Sequence, residues 1–238
     1  MATQLQLGEL TVDVVYKDIK NIHLSVYPPT GRVRIAVPRR MTLPTIRAFA
    51  AAKLPWIREQ QRKLREQERE TTREYLDRES HYVFGKRYLL RVVEENVPAS
   101  VERKHQHLIL TVRPGTTEEA RQAMLEEWYR NVLKEAGASI IAPWESRLGV
   151  KVNRVFVQHM KTKWGSCNHR RGTIRLNTEL AKKPVECVEY LVVHEMVHLL
   201  EPTHNARFIA LMGQFMPRWQ HYRQMLNRLP LRHESWDY

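Results

Sequence analysis

The sequence predicts an α+β protein built in two parts. Apolar and polar residues alternate with period two in the first half, which is typical of strands that bury one face. In the second half, apolar residues recur at helical spacing around one short hairpin pattern. We place the boundary at Pro114–Gly115, so that residues 1–113 form a β-hairpin, helix and strand region and residues 114–238 form a second domain.

The N-terminal elements follow from this alternation. A hairpin is predicted over residues 22–37, with turn-forming residues 27–31 between its arms. A helix is predicted from about Thr45, interrupted or restarted at Pro55. Dense charges of both signs over residues 58–78 indicate a solvated helix or a linker. Further strands are predicted at residues 82–84, 88–93 and 107–112.

Helices dominate the predicted C-terminal part. A long amphipathic helix should begin near Glu118, after a capping-box pair at Thr116 and Glu119. Gly137 is expected to interrupt it before a second segment, Ser139–Leu148. The remaining elements are a strand at 152–157, a hairpin with arms at 163–167 and 172–177, a helix from about Pro184, and helices at about 204–215 and 219–229. No sequence repeat is detected.

Composition limits the class of protein. Charged residues make up 27% and hydrophobic residues 42% of 238 residues, which is ordinary for a globular protein with a substantial core. No apolar run approaches the length of a membrane span, and the N-terminus lacks a signal-peptide pattern, so we expect a cytoplasmic protein. Cys167 and Cys187 form no CxxC pair and predict no disulfide framework. Oligomeric state leaves no mark in the sequence.

The net charge of +13 favours association with polyanions, including DNA. Between Pro202 and Arg232 every formal charge is an arginine. The alternative explanation is a solubilising surface. The sequence contains no helix-turn-helix, zinc-finger or RNA-binding signature.

The most specific motif is His194-Glu195-Met196-Val197-His198 within an apolar run. Residues four apart on a helix share a face, so His194 and His198 can bind one Zn²⁺. Glu195 can then act as the base that takes a proton from zinc-bound water. The alternative is a buried helix with two hydrogen-bonded histidines and a paired glutamate. Three such groups are costly in an apolar helix without partners.

The third ligand can be argued by elimination. Residues 202–233 contain no Asp or Glu, so a glutamate ligand from a following helix is not expected. Pro202 should turn the chain near Glu201, which can bring His204 back toward the metal. We therefore prefer His204, in an HExxHxxxxxH spacing, and keep His221 as the alternative.

Taken with this motif, the hairpin sequence Trp164-Gly165-Ser166-Cys167 makes the chain resemble the YgjP-like family of bacterial zinc metallopeptidases over its full length. The resemblance implies a zincin-like catalytic domain, with a small mixed sheet packed on the HExxH helix and a backing helix. It implies Zn²⁺ as cofactor and a protein or peptide substrate. It also suggests kinship with WLM and SprT-type proteases, which act on proteins associated with DNA. The other matching segments are Gly31–Pro38, Gly85–Tyr88, and the strand ending at Asn177.

In zincin-like enzymes the strand beside the active helix lies along the substrate cleft, and an unpaired strand edge can bind an extended peptide. We therefore name Trp164, Gly165 and Asn177 as candidate substrate-binding residues. Trp164 could form the wall of a side-chain pocket, and Gly165 could permit close backbone approach. Alternatively, Trp164 is a core residue and Gly165 a bulge. Cys167 fits best as a buried, inert thiol.

The predicted function is peptide-bond hydrolysis by a Glu195-activated, zinc-bound water, with zinc held by His194, His198 and His204. The oxyanion donor stays open among His221, Tyr222 and Arg175. The alternative function is a basic nucleic-acid-binding protein with a structural zinc site and no peptidase activity. A base beside the ligands argues against that alternative, because a structural site needs none.

Overall fold

The computed structural model describes residues 3–27, 31–66, 74–160 and 163–229, with the side chains of residues 63 and 66 excepted. The chain divides into two compact units, one drawn from residues 1–70 and the other from residues 71–229. This grouping differs from the predicted division after residue 113, because the strands of residues 80–112 share a hydrophobic core with the helices that follow them. None of the described helices is long and apolar enough to cross a membrane.

The N-terminal unit is a four-stranded sheet with two helices packed on one face. The predicted hairpin is confirmed as its third and fourth strands, whereas the first two strands were not predicted. The core contains Val33 and Ile35 from the sheet with Ile46 and Ile57 from the helices. The elements are β1 (Thr3–Leu7), β2 (Leu10–Lys17), β3 (His23–Tyr27), β4 (Arg32–Pro38), α1 (Leu43–Ala52) and α2 (Leu54–Glu66), with strand order β1-β2-β4-β3.

The second unit begins with a sheet of the same topology. In both sheets the two central strands are parallel, and each edge strand is antiparallel to its neighbour. The predicted strand at 107–112 is confirmed, and a charged edge strand before it was not predicted. The strands are β5 (Ser80–Val83), β6 (Lys86–Glu94), β7 (Ser100–Lys104) and β8 (His107–Val112), in the order β5-β6-β8-β7.

A single long helix, α3 (Glu118–Leu148), follows the second sheet. The predicted interruption at Gly137 was wrong. Gly137 is buried in the helix, where an added Cβ would lie 3.4 Å from the side chain of Leu176, so the glycine serves close packing. The helix cap also differs by one residue from the prediction, because the hydroxyl of Thr117 accepts a hydrogen bond from the backbone of Ala120.

The rest of the chain places one buried helix at the centre of the second unit. The predicted hairpin is confirmed as two strands of a three-stranded sheet. The elements are β9 (Arg154–Gln158), β10 (Gly165–Asn168), β11 (Thr173–Asn177), a short 3₁₀ helix (Thr178–Lys182), α4 (Val185–Val197), α5 (Ala206–Phe215) and α6 (Trp219–Arg228). The strand order is β10-β11-β9. Helices α3, α5 and α6 and strand β10 all pack on α4, and the predicted α+β class is confirmed.

Two contacts fix the position of α4. The indole Nε1 of Trp144 on α3 donates a 2.9 Å hydrogen bond to the Glu189 carboxylate on α4. The β5–β6 turn binds the segment before α4, because the backbone N–H of Phe84 donates to the carbonyl of Ala181 at 2.8 Å. Gly85 follows in this turn with φ +78°, and an added Cβ would lie 3.0–3.2 Å from Pro184.

We expect Gly85→Ala to lower the free energy of unfolding by about 1–3 kcal/mol more than Gly115→Ala. Both glycines have positive φ, +78° and +77°, but an added Cβ at Gly115 meets nothing within 4 Å. The difference between the two losses of unfolding free energy therefore measures the effect of crowding Pro184. Urea denaturation of both variants measures it, and equal losses would contradict the importance of this contact.

Candidate metal centre

Helix α4 provides the first two histidines and the glutamate. Nine of its thirteen residues are buried, so its position is set by packing on nearly all sides. The helix ends at Val197, and His198 takes the C-cap position with helical φ and ψ. His194 and His198 are therefore one turn apart, and their ring centroids lie 5.0 Å from each other.

The turn after α4 returns the chain to the site. The backbone N–H of Glu201 donates to the carbonyl of Val197 at 2.9 Å, and the Glu201 side chain accepts hydrogen bonds from the backbone and hydroxyl of Thr203. Asn205 then caps α5 by accepting from the backbone N–H of Phe208. These local hydrogen bonds place His204 beside α4, as expected from the turn at Pro202.

The structure brings three histidines together. One nitrogen from each of His194, His198 and His204 lies within 4.8 Å of the others. The Nε2 atoms of His194 and His204 are 3.0 Å apart. His221, the alternative third ligand, is outside this group; it is exposed on α6, with its ring 5.4 Å from that of Tyr222.

Burial lowers the pKa values of the two histidines at the end of α4, His194 and His198. Burial, followed by the neighbouring histidines and Arg223, lowers the pKa of His194 to about 3. Burial also lowers the pKa of His198, with an opposing effect from the Glu201 carbonyl that accepts its Nδ1–H at 3.1 Å. That bond leaves the Nε2 lone pair of His198 free for a metal. Three converging imidazoles fit a transition-metal ion such as zinc.

Phe208 packs beneath all three histidines. Its ring centroid lies 4.9 Å from that of His194, 4.6 Å from that of His198 and 4.7 Å from that of His204. The side chain is 2% exposed, so it excludes water from the back of the site. His194 depends on this packing for its orientation, because its buried Nδ1 has no hydrogen-bond partner among the described residues.

Glu195 follows His194 in the sequence and lies against the edge strand β10. An added Cβ at Gly165 would lie 2.8 Å from Oε1 of Glu195, so a larger residue would force the carboxyl or the strand to shift. The Glu195 carboxyl is 5% exposed, and burial raises its pKa to about 7, with the charge of Lys163 opposing. A carboxyl with this pKa can exchange protons near neutrality.

The other predicted site residues have different surroundings. Trp164 is half-buried against the core, with the Lys183 ammonium 5.8 Å from its ring centroid. The amide oxygen of Asn177 accepts from two backbone N–H groups, and its nitrogen donates to the carbonyls of Met160 and Lys163. All hydrogen-bonding capacity of this amide is used, which favours a positioning role over the direct substrate contact predicted from the sequence.

Neither cysteine belongs to the metal-binding group. Burial, and next the charge of Glu195, raise the pKa of the Cys167 thiol to about 11. A neutral thiol is a poor metal ligand and a poor nucleophile. Cys167 is partly buried and not fully buried as expected from the sequence, and its raised pKa favours the inert role.

Sequence reasoning missed Phe208 and Arg223. The charge of Arg223 contributes to the low pKa of His194, and it lowers the otherwise raised pKa of Tyr190. The acid-free, arginine-bearing stretch after residue 202 was a signal for a basic residue near the site. Phe208 gave no signal beyond its helical spacing.

Comparison with known proteins identifies the family. The family model described as the YgjP-like metallopeptidase domain matches residues 20–229. The chain belongs to the YgjP-like metallopeptidase family. Membership implies a metal-dependent hydrolase that acts on proteins or peptides, and the histidine group supplies ligands for such a metal. The predicted family is therefore confirmed.

Two solved structures are similar to parts of this YgjP-like chain. The metallopeptidase zymogen jannalysin of Methanocaldococcus jannaschii is 17% identical, covers 41% of this chain and 92% of its own, and gives a TM-score of 0.30. The metallopeptidase zymogen abylysin of Pyrococcus abyssi is 21% identical, covers 43% of this chain and 98% of its own, and gives a TM-score of 0.33. No curated protein matches the sequence.

We expect His204→Ala to lose the bound metal, because two imidazoles alone hold an ion weakly. His221→Ala is the control and should keep one metal per chain, since His221 lies outside the histidine group. Metal content measured by mass spectrometry after dialysis distinguishes the variants. Loss of metal from His221→Ala, with retention in His204→Ala, would reverse the assignment.

Phe208→Leu should weaken metal affinity by about tenfold, because supporting residues orient the ligands. Met212→Leu on the same helix is the control, because Met212 is also buried but has no ring to pack on the imidazoles. Competition with a chromogenic chelator measures both affinities. Equal affinities for the two variants would show that Phe208 does not orient the histidines.

Proposed function

We propose that this protein is a zinc-dependent peptidase of the HExxHxxxxxH type, with His194, His198 and His204 as ligands and Glu195 as the general base. The observation that carries the proposal is the convergence of three imidazole nitrogens within 4.8 Å, next to a buried carboxylate. Zinc is the metal for which a three-histidine site is best known as a hydrolytic centre. A base at Glu195 is unnecessary for a structural metal.

The chain's own residues explain how hydrolysis would proceed. When bound, zinc supplies Lewis-acid chemistry, which makes water acidic and polarises a peptide carbonyl. Glu195 takes the proton of the attacking water and returns it to the leaving amine. The raised pKa of Glu195, about 7, suits both steps, because the group gives up and accepts a proton near neutral pH. The lowered pKa values of His194 and His198 favour the neutral imidazoles, whose lone pairs can bind the metal.

The substrate would bind along strand β10. This strand is at an edge of its sheet, paired with β11, so its other side can pair with an extended peptide. Gly165 places that strand against Glu195, so a peptide bonded to the edge would lie within reach of the base. Trp164 precedes the strand and offers an apolar wall to a substrate side chain.

The basic charge supports a second element of the proposal, association with nucleic acid. The net charge of +13 favours polyanions, so substrates would include proteins held on DNA. The competing function, a nucleic-acid-binding protein with structural zinc, predicts binding without hydrolysis. Activity of a Glu195 variant separates the two.

We expect Glu195→Gln to lower kcat on a fluorescently labelled casein by about 10²–10⁴-fold, the usual contribution of a general base. The substitution preserves size, so metal content should stay at one per chain. Glu186→Gln, at an exposed position of the same helix, is the control and should keep wild-type activity.

Each negative result of this experiment contradicts a different part of the proposal. If the metal-loaded Glu195→Gln variant is as active as the wild type, Glu195 is not the general base. A wild-type protein that binds metal but cleaves no protein would support the structural-zinc alternative. A wild-type protein that binds no metal, with all three histidines intact, would overturn the site itself.

A further inference from the structure

Positive charge is denser in the N-terminal unit than in the rest of the chain. Residues 1–70 contain thirteen Lys and Arg against seven Asp and Glu, a net charge of +6 of the +13 in the whole chain. This segment contains none of the residues assigned to the metal centre. Its charge is therefore available for a separate role.

One face of the N-terminal sheet is covered by helices, and no described helix or strand packs on the other. Val33 and Ile35 of β4 face the helices and are fully buried. Because side chains alternate along a strand, Arg34 and Ala36 lie on the opposite face. Their partners on β3 are Ser25 and His23, which share that opposite face. We call this surface the outer face: the side of β1–β4 that carries Arg34.

The outer face holds a depression of about 220 Å³ with basic and aromatic walls. Lys17, His23 and Arg34 provide its positively charged or titratable groups, and Tyr27 provides an aromatic ring. Ala36 lies between them, so a small side chain on a central strand leaves the space open. Such walls suit a ligand that has both negative charge and flat rings.

Acidic groups on the outer face do not neutralise these cations. Asp13 is the register partner of Arg34, but its carboxylate pairs with Arg32 and is 7% exposed. Neither Lys17 nor Arg34 forms an ion pair with a residue that the structure describes. Two cations thus remain unpaired on one open surface.

We propose that the outer face binds single-stranded nucleic acid, with Lys17 and Arg34 contacting phosphates and Tyr27 stacking on a base. Four-stranded sheets with an open face bind single strands in this way, by base stacking on aromatic side chains beside basic residues. The inference rests on the proposed nucleic-acid association and gives it a location. It does not depend on peptidase activity.

The chemistry of the surface favours a single strand over other polyanions. A duplex hides the faces of its bases, so Tyr27 would have nothing to stack on. A membrane surface would be bound by exposed cations together with protruding apolar side chains, whereas the apolar residues on the outer face, Val15 and Ala36 among them, are partly buried.

Fluorescence anisotropy of the full chain with a labelled 20-nucleotide oligothymidine tests the site. Lys17→Gln with Arg34→Gln should weaken binding at least tenfold and make the slope of log K against log salt shallower by about 1.4, as expected for two lost phosphate contacts. The matched control is Arg47→Gln with Arg58→Gln, two exposed cations on the helices of the same unit, and should change affinity less than twofold.

A second pair of variants tests stacking. Tyr27→Ala should weaken binding about fivefold or more without changing the salt slope. Trp56→Ala, which removes a 44% exposed ring from α2, should have less than a twofold effect. Circular dichroism of every variant checks that the fold is kept.

The outcomes distinguish the proposed site on the outer face from nucleic-acid binding by the chain as a whole. Tight binding by the wild type, with equal losses in the outer-face and helix variants, overturns the site and leaves nucleic-acid association standing. No binding by the wild type overturns both and leaves the peptidase proposal untouched. Duplex of the same length bound as tightly as the single strand, or phosphatidylserine vesicles bound in its place, overturns the choice of ligand.

Discussion

Helix α4 must be buried and yet keep ionisable side chains on one of its faces, and the structure of the second unit depends on this constraint. Burying a carboxylate or an imidazole without a partner costs free energy, so the apolar residues of the same helix must offset it. Nine buried positions on α4 do so by packing against α3, α5, α6 and β10. A helix held on so many sides cannot shift, so the histidine spacing is fixed before any metal arrives.

The same constraint explains why the site is asymmetric. His198 is oriented by a hydrogen bond to the Glu201 carbonyl, whereas His194 is oriented by the rings around it. A backbone carbonyl is available to His198 because it lies at the end of α4, beyond the carbonyls that the helix uses. Nearer the middle of the buried helix, His194 is oriented instead by packing against the rings of Tyr190 and Phe208. The position of Glu195 is limited by the backbone of β10, which lies close to its carboxyl because Gly165 lacks a side chain.

The local parts of this arrangement could be predicted from the sequence, and the long-range parts could not. Helical spacing placed His194 and His198 on one face, and the lack of acidic residues downstream pointed to His204. Phe208 could not be recognised, because its role depends on how α5 packs on α4. Gly137 was misread for a similar reason: its low helix propensity is a local property, but its contact with Leu176 comes from another element. Strand β7 is mostly exposed and charged, so it has no buried face to produce an alternating pattern.

The repeated sheet topology has a consequence for how the chain folds. Each sheet is formed from fewer than forty consecutive residues, Thr3–Pro38 and Ser80–Val112, so its strands pair across short stretches of chain. Contacts between residues close in sequence form quickly because little loop entropy is lost. The histidine group, by contrast, needs α3 to pack against elements that are synthesised later. During synthesis, we expect both sheets to form first and the histidine group to assemble last.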